Sequence, residues 1–314
     1  MTQRSSLPIR VLGPASGWNA NGGTSPAEAI AAVQDAEAAG LDGLFTGDHV
    51  TFRGRGNDGL MNLALAAAHS QNLLLQTSVY LLALRHPTPV ALQAALIDQL
   101  SGGNLILGVG VGGEDPSEWR ACGVDPHTRG QRTEEGIQVL RSLWTQEQTT
   151  FHGRHFDLDE VQLRPKPLQR GGVPIWIGGR SEAALRRAAR LCDGYVGIWI
   201  SPRRLAEIVT QHAQLAAEYG RADAPFTFGM QFWMGVDDDD QTARRKVAER
   251  MTATYNLPFE SFERYVPFGS PRKIADAIAP YLEAGATHVN LQAAESSPLA
   301  AIEAVVKVRD ALRA

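Results

Sequence analysis

The chain has 314 residues, of which 44% are hydrophobic and 20% charged, a composition typical of a globular protein with a large core. Its net charge is −4 and its basic residues are scattered, so we expect no nucleic-acid partner. The sequence shows no signal-peptide pattern and no apolar run near the roughly 18 residues of a membrane span, and Cys122 and Cys192 lack metal-binding spacing. We therefore expect a cytoplasmic protein without membrane contact.

Short apolar or β-branched runs alternate with longer segments of helical periodicity along the chain. The predicted strands cover residues 9–12, 43–46, 73–82, 105–110, 174–178, 195–200, 227–234 and 288–292. The predicted helices cover residues 26–39, 60–69, 88–100, 132–144, 182–191, 203–219, 241–254, 271–284 and 298–312. Ser25 before Pro26 is typical of a helix start, and Gly40 after Ala39 is typical of a helix end.

Eight strand–helix alternations without a linker predict an α/β fold, a single (β/α)₈ TIM barrel spanning residues 1–314. Residues 146–168 and 256–269 exceed normal loop length and are predicted insertions, typical of lids or oligomer contacts. A doubly wound sheet is the alternative. It would require a GxGxxG pattern after the first strand, and residues 12–17 do not supply it.

In a parallel barrel the active site lies at the carboxyl ends of the strands. The candidate residues at those ends are Asp48, His49, Thr77, Ser78, Val79, Gly110, Val111, Gly112, Gly178, Gly179 and Arg180. Gly178 and Gly179 lie between a strand and a helix start, where exposed amides bind phosphate, although a tight turn also needs such glycines. The glycines from Gly110 to Gly113 either hold a planar ring or only form a turn.

His49 follows the second strand, where a general acid or base would act near neutral pH, although a lone histidine is more often structural. Four further side chains near strand ends suggest a mixed apolar and polar substrate pocket: Trp199, Gln231, Trp233 and Gln292. For the tryptophans, core packing is the alternative. His152 and His155 have no further ligands at defined spacing, so we expect no metal.

Together these motifs resemble the luciferase-like monooxygenase superfamily, which includes dehydrogenases and reductases that use the deazaflavin coenzyme F420. The matching segments are residues 40–49, 85–87, 98–103, 105–110, 129–132, 174–179, 188–194, 269–271 and 283–286. The resemblance covers nearly the whole chain. It implies a TIM barrel that forms a homodimer.

The resemblance also implies roles for individual residues. A cis peptide at Ser78–Val79 would support the cofactor ring, and Gly178, Gly179 and Arg180 would hold its phosphate. His49 would take a substrate proton. The glutamate that pairs with this histidine in relatives aligns with Gly113, and Glu114 stands one residue later. The aromatic residue that follows the histidine in relatives has Phe52 and Arg53 as its nearest counterparts.

We therefore expect an F420-dependent oxidoreductase that transfers a hydride between the deazaflavin and a small organic substrate. Asp48-His49 and Thr77-Ser78-Val79 resemble the deazaflavin branch. An FMN-dependent monooxygenase and a non-catalytic flavin- or deazaflavin-binding protein are the alternatives. A barrel hydrolase or lyase would require a lysine or a carboxylate pair at the strand ends, and the candidate residues include neither.

Overall fold

The computed structural model describes residues 9–15, 24–113 and 115–314. Its strands are β1 (Arg10–Pro14), β2 (Gly43–Thr46), β3 (His49–Phe52), β4 (Arg55–Asn57), β5 (Leu74–Thr77), β6 (Leu105–Val109), β7 (Thr149–His152), β8 (Asp157–Val161), β9 (Ile175–Gly178), β10 (Gly194–Ile198), β11 (Thr227–Val236), β12 (Phe268–Gly269) and β13 (His288–Ala293). Its helices are α1 (Pro26–Ala38), α2 (Gly59–His69), α3 (Pro87–Leu100), α4 (Pro116–Ala121), α5 (Arg129–Thr145), α6 (Glu182–Leu191), α7 (Pro202–Glu218), α8 (Asp240–Tyr255), α9 (Pro271–Glu283) and α10 (Pro298–Arg313).

Within these described ranges, eight parallel strands close into a barrel. Their order is β1, β2, β5, β6, β9, β10, β11 and β13, and β13 returns to β1, where Val11 lies opposite Val289. Helices connect successive barrel strands along the chain. The predicted (β/α)₈ TIM barrel is therefore confirmed, and the doubly wound alternative is wrong.

Serine residues cap several helix starts by accepting bonds from backbone amides that have no partner inside the helix. The Ser25 hydroxyl accepts from the amide of Glu28, and the Glu28 carboxylate accepts from the Ser25 amide, which completes a capping box. The same serine cap precedes further helices at Ser181, Ser201, Ser270 and Ser297. The predicted helix starts at these serines follow from this local chemistry.

The strand predicted over residues 73–82 is interrupted. β5 ends at Thr77. Gln76 pairs with Ile106 and Tyr80 bridges Val109, so the chain advances four residues on the β5 side and three on the β6 side. The extra residue on the β5 side forms a bulge. The Ser78–Val79 peptide bond in that bulge is cis, as the resemblance implies. The Ser78 amide donates to the Thr46 carbonyl, which keeps the bulge attached to β2.

The two predicted insertions have different structures. Residues 146–168 contain the antiparallel hairpin β7–β8, and residues 256–269 contain two short 3₁₀ turns followed by β12, which pairs with β11. The sequence prediction missed the hairpin β3–β4 and the short helix α4, and it began α5 three residues late, at 132 instead of Arg129. The strands β3 and β4 and the helix α4 are too short to show a clear hydrophobic period.

The barrel interior contains a buried polar layer below the carboxyl ends of the strands. His288 Nε2 lies 3.0 Å from Gln76 Oε1, and the Asn290 side-chain amide donates to the same oxygen at 3.1 Å. Burial lowers the pKa of His288 to about 3, with a smaller contribution from Arg10, so this histidine is neutral.

Across the described part of the chain, no helix has the length and apolar character needed to cross a membrane.

Candidate active site

A cavity of about 320 Å³ opens at the carboxyl ends of the barrel strands. The predicted residues that line it are Asp48, His49, Ser78, Val79, Gly110, Val111, Gly112, Gly178, Gly179, Arg180, Trp199, Gln231, Trp233 and Gln292. Thr77 is the exception, because it is fully buried and its hydroxyl donates to the Gly108 carbonyl at 2.8 Å. The strand-end rule therefore gathers residues that are distant in sequence around one cavity.

The floor of the cavity is formed by Val79 between two glycines. A Cβ atom at Gly110 would lie 2.4 Å from Val79 Cγ2, and one at Gly178 would lie 3.2 Å from Val79 Cγ1. At position 110, only a glycine leaves room for the Val79 side chain. The Ser78 hydroxyl beside it donates to Gln231 Oε1 at 2.7 Å, which ties the bulge to the opposite side of the barrel.

The cavity wall at β9 runs directly into the start of α6. Gly179 has a φ of 127°, a conformation that residues with a side chain rarely adopt, and its carbonyl accepts from the Tyr195 hydroxyl at 2.8 Å. Arg180 follows with an exposed side chain, and Ser181 caps the helix. A helix N-terminus with an adjacent guanidinium is a suitable site for an anion.

His49 lines the cavity and is held by Glu118 of α4. Its Nδ1 lies 3.1 Å from Glu118 Oε2, and its ring stacks on Phe52 with centroids 4.3 Å apart. Glu118 Oε1 also accepts from the amides of Val50 and Thr51, at 2.7 and 3.2 Å. The aromatic counterpart that the resemblance sought is therefore Phe52, which supports the histidine ring.

Glu118 is 1% exposed, and burial alone would raise its pKa. The hydrogen bond and charge of His49, followed by the two backbone amides, outweigh this effect and hold the pKa of Glu118 below its ordinary value. An ionised carboxylate accepts hydrogen bonds, so Nδ1 of His49 is the donor in this pair. Sequence analysis missed Glu118, because it searched for the partner at Gly113 and Glu114. Glu114 lies outside the described residues.

Asp48 lines the cavity, but its carboxylate is engaged by the protein. Arg85 donates to its two oxygens at 2.7 and 2.9 Å, and the amides of Gly59 and Leu81 donate to them as well. Burial raises the pKa of Asp48, while Arg85 and the amides oppose the rise. The side chain thus holds the loop after β2 against the loop after β5, and this is the role we assign to it.

An aromatic wall closes the side of the cavity formed by β10 and β11. Trp199 meets Tyr255 edge to face with ring centroids 5.1 Å apart, and the Trp233 indole donates to the Tyr255 hydroxyl at 3.1 Å. Phe262 from the insertion at 256–269 packs behind Trp199 at 4.7 Å. This insertion therefore supports the aromatic wall from behind, although neither insertion contributes residues to the lining itself.

The residues fit a planar cofactor with a phosphate tail better than a metal. The glycines at Gly110 and Gly178 leave a flat floor that a Cβ would fill, and the α6 start offers amides and Arg180 at one edge. Within the described ranges, no group of three His, Cys, Asp or Glu residues lies close enough together to hold a metal ion.

The barrel and its glycine-lined cavity define an α/β-barrel protein with a site for a phosphorylated ring cofactor. Residues 9–305 match the family described as luciferase-like monooxygenase, and the chain belongs to this family. The chain spans about half the length of the curated relatives that it matches at 36% identity, 49% of each.

Comparison with other proteins finds both deazaflavin and flavin enzymes. The F420-dependent glucose-6-phosphate dehydrogenase of Kineococcus radiotolerans is 27% identical over 82% of this chain and 84% of that one. The FMNH₂-dependent dimethylsulfone monooxygenase of Pseudomonas putida is 33% identical over 62% of this chain and 52% of that one.

A solved structure of an F420-dependent secondary alcohol dehydrogenase in complex with an F420–acetone adduct has a TM-score of 0.84. It is 20% identical and covers 98% of this chain and 100% of that one. At this identity the similarity shows the fold.

Proposed function

We propose that this protein is an F420-dependent oxidoreductase that interconverts a small organic alcohol and its carbonyl compound, with His49 as the proton-transferring residue. The observation that carries the proposal is the His49–Glu118 pair on the wall of a cavity whose other edge is the Gly178-Gly179 turn. Similarity to the F420-dependent glucose-6-phosphate dehydrogenase over most of both chains supports the choice of cofactor.

Each residue has a task in this proposal. When bound, coenzyme F420 supplies a carbon centre that accepts or donates a hydride. Gly178, Gly179 and Arg180 would hold the phosphate tail, while Ser78, Val79 and Gly110 to Gly112, which line the same cavity, would lie against the ring. These contacts fix the distance and orientation between the reacting carbons.

Glu118 sets the tautomer of the neutral His49 ring. Because Nδ1 donates to the carboxylate, the neutral ring carries its basic lone pair on Nε2. That nitrogen takes the hydroxyl proton when an alcohol is oxidised and returns it when a carbonyl is reduced. The imidazolium formed in the first case is stabilised by the Glu118 carboxylate at 3.1 Å.

A fluorescence titration with F420 tests the proposal. The wild type should bind the coenzyme, and Arg180→Gln should weaken binding in a salt-dependent way because one phosphate contact is lost. His49→Ala should lower turnover of any substrate roughly 100- to 10,000-fold and leave F420 affinity within about twofold. His127→Ala, at an exposed residue that does not line the cavity, serves as the matched control.

Other outcomes favour the alternatives. A chain that does not bind F420 but consumes oxygen with reduced FMN would be a flavin monooxygenase, as similarity to the FMNH₂-dependent enzyme suggests. A chain that binds F420 but oxidises or reduces no compound of a broad panel would be a carrier.

We also propose a homodimer. Leu92, Leu96 and Leu100 recur every four residues on α3 and are 37%, 44% and 58% exposed. Met61 on the neighbouring α2 is 66% exposed. A row of exposed leucines on one helix is typical of a surface that is buried in an assembly.

A further inference from the structure

We propose that the substrate pocket accepts an uncharged alcohol or carbonyl compound, held by the aromatic wall and by the Gln292 side chain, and rejects phosphorylated or carboxylated substrates. This inference rests on the proposed oxidoreductase function and goes further by naming the substrate class. The aromatic wall comprises Trp199, Trp233 and Tyr255.

The distribution of charged side chains around the cavity is the first observation that supports an uncharged substrate. Among the described residues that line it, the side chains that can be charged near neutral pH are Asp48, His49 and Arg180. Asp48 is neutralised by Arg85, and Arg180 lies at the phosphate-binding turn after β9. Trp199 follows β10, Trp233 lies on β11, Gln292 lies on β13 and Tyr255 ends α8. The described cavity lining contains no cation on this side. An anionic group placed there would lose hydration without gaining a cation as its counter-ion.

Arg250 is a cation beside this part of the cavity, and its guanidinium is bonded elsewhere. It borders a separate small recess that shares Trp233 and Gln292 with the main cavity. Its guanidinium donates to the Glu295 carbonyl. The Glu295 carboxylate lies 3.5 Å from Lys246, which also pairs with Asp237 at 3.1 Å, so this corner contains two cations and two carboxylates. It does not line the main cavity.

Gln292 is an uncharged polar side chain of the lining that remains available, together with the indole N–H of Trp199, which also has no hydrogen-bond partner among the described residues. The Gln292 side chain lines the cavity and forms no hydrogen bond with any described residue, whereas the Gln231 side chain is already bonded to Ser78. A primary amide offers both a donor and an acceptor. It therefore suits a substrate hydroxyl or carbonyl oxygen, while the tryptophan and tyrosine rings cover an apolar body.

The chemistry agrees with this pocket. When an alcohol is oxidised, the hydrogen of the C–H bond would leave with its electron pair, as a hydride, to the deazaflavin. The O–H proton would move to His49, and the electron pair of the O–H bond would form the C=O bond. The product is a ketone or aldehyde. The reacting group is uncharged both as the alcohol and as the carbonyl, so the reaction itself requires no counter-ion at this end of the pocket.

Isothermal titration of the F420-saturated protein tests the inference. Cyclohexanone and tetralone are each compared with the carboxylic acid of the same ring skeleton, at low salt. We expect each ketone to bind at least about tenfold more tightly than its carboxylate, because the carboxylate is desolvated without a partner. Equal or tighter binding of the carboxylates, or no binding of either class, overturns the inference.

Variants locate the site. Gln292→Lys should reverse the preference and strengthen carboxylate binding about tenfold, whereas Gln292→Met, of similar size and uncharged, should not. Trp233→Ala should weaken ketone binding roughly tenfold with F420 affinity unchanged. If Gln292→Lys leaves the preference for ketones intact, the ligand does not reach this side chain and the inference is wrong.

The F420 titration separates this inference from the proposed function. If F420 fails to bind, the proposed function is wrong, and the same ligands titrated into the protein alone decide the substrate class. If F420 binds but carboxylates are preferred, only the substrate class is wrong.

Discussion

Nδ1 of His49 lies 3.1 Å from Oε2 of Glu118, a contact between residues 69 positions apart in the sequence. It joins the start of β3 to α4. The same carboxylate accepts the amides of Val50 and Thr51, so one buried side chain fixes both the histidine ring and the backbone that carries it. Side chains that orient a catalytic group in this way are commonly as important as direct ligands.

We predict that Glu118→Gln lowers kcat roughly 10- to 100-fold while F420 affinity changes less than about twofold. The amide oxygen of glutamine can still accept from Val50 and Thr51, but its NH₂ group cannot accept the Nδ1 proton. The neutral ring would then carry its proton on Nε2, the atom that must act as base. Steady-state kinetics and an F420 titration measure the two effects.

Glu37→Gln is the matched control for that experiment. Glu37 also receives two backbone amides, from Gln71 and Asn72 at 2.8 and 2.7 Å, but neither of these residues lines the cavity, whereas Glu118 holds the lining residue His49. It should leave kcat unchanged. Equal losses in the two variants would mean that Glu118 acts only on folding.

The sequence predicted the parts of the site that depend on local pattern. Strand ends, paired glycines and serine caps are recognisable within a few residues, which is why His49, Gly110, Gly178 and Gly179 were placed correctly around one cavity. The cis bond at Ser78–Val79 followed from the resemblance to a family rather than from any local signal.

The remaining parts depend on contacts between distant elements. Glu118 lies on a six-residue helix with too few turns for a recognisable period, and Asp48 meets Arg85 only because two barrel loops are neighbours. Tyr255 ends a long helix and looks like any other helix terminus until the barrel brings it beside Trp199. A single sequence does not show such pairings.

Val79 leaves no room for a side chain at Gly110, and we predict that Gly110→Ala destabilises the protein. The added Cβ would meet Val79 Cγ2 at 2.4 Å, an overlap that costs about 1–3 kcal/mol of unfolding free energy. Because the alanine also fills the floor, F420 affinity should fall. Urea denaturation and the F420 titration report the two losses.

A double variant distinguishes the cause of that destabilisation. Val79→Ala removes the clashing methyl groups, so Gly110→Ala should cost less in the Val79→Ala background than in the wild type. Gly47→Ala is the control, because a Cβ at Gly47 meets no atom within 4 Å. Equal costs of Gly110→Ala in both backgrounds would show that Val79 is not the obstacle.

The exposed leucines of α3 make the proposed homodimer testable. Leu96→Glu places a charge in the centre of the row formed with Leu92 and Leu100, and burying it unpaired would weaken association. We expect light scattering to show a dimer for the wild type and a monomer for this variant. Leu299→Glu, at a leucine 42% exposed on α10, should remain dimeric. Dissociation of both variants, or of neither, would place the interface elsewhere.

His288 should make the protein less stable as the solution becomes acidic. The unfolded histidine binds a proton below its ordinary pKa of 6.5, whereas the folded one stays neutral until about pH 3, because burial lowers its pKa. Between pH 6.5 and about pH 3 the unfolded state therefore binds more protons than the folded state. The stabilisation that comes from keeping His288 neutral is complete above pH 6.5 and is lost as the pH falls through this range. Between pH 7 and pH 5 the loss amounts to about 2 kcal/mol.

The pH dependence separates this effect from simple damage to the core. His288→Gln removes the titrating group, so it should lose stability at pH 7 but show a flatter decline in the urea midpoint between pH 7 and pH 5 than the wild type. His127→Gln, at an exposed position, should keep the wild-type slope. If His288→Gln and the wild type decline in parallel, the buried layer of Gln76, His288 and Asn290 is not the source of the acid sensitivity.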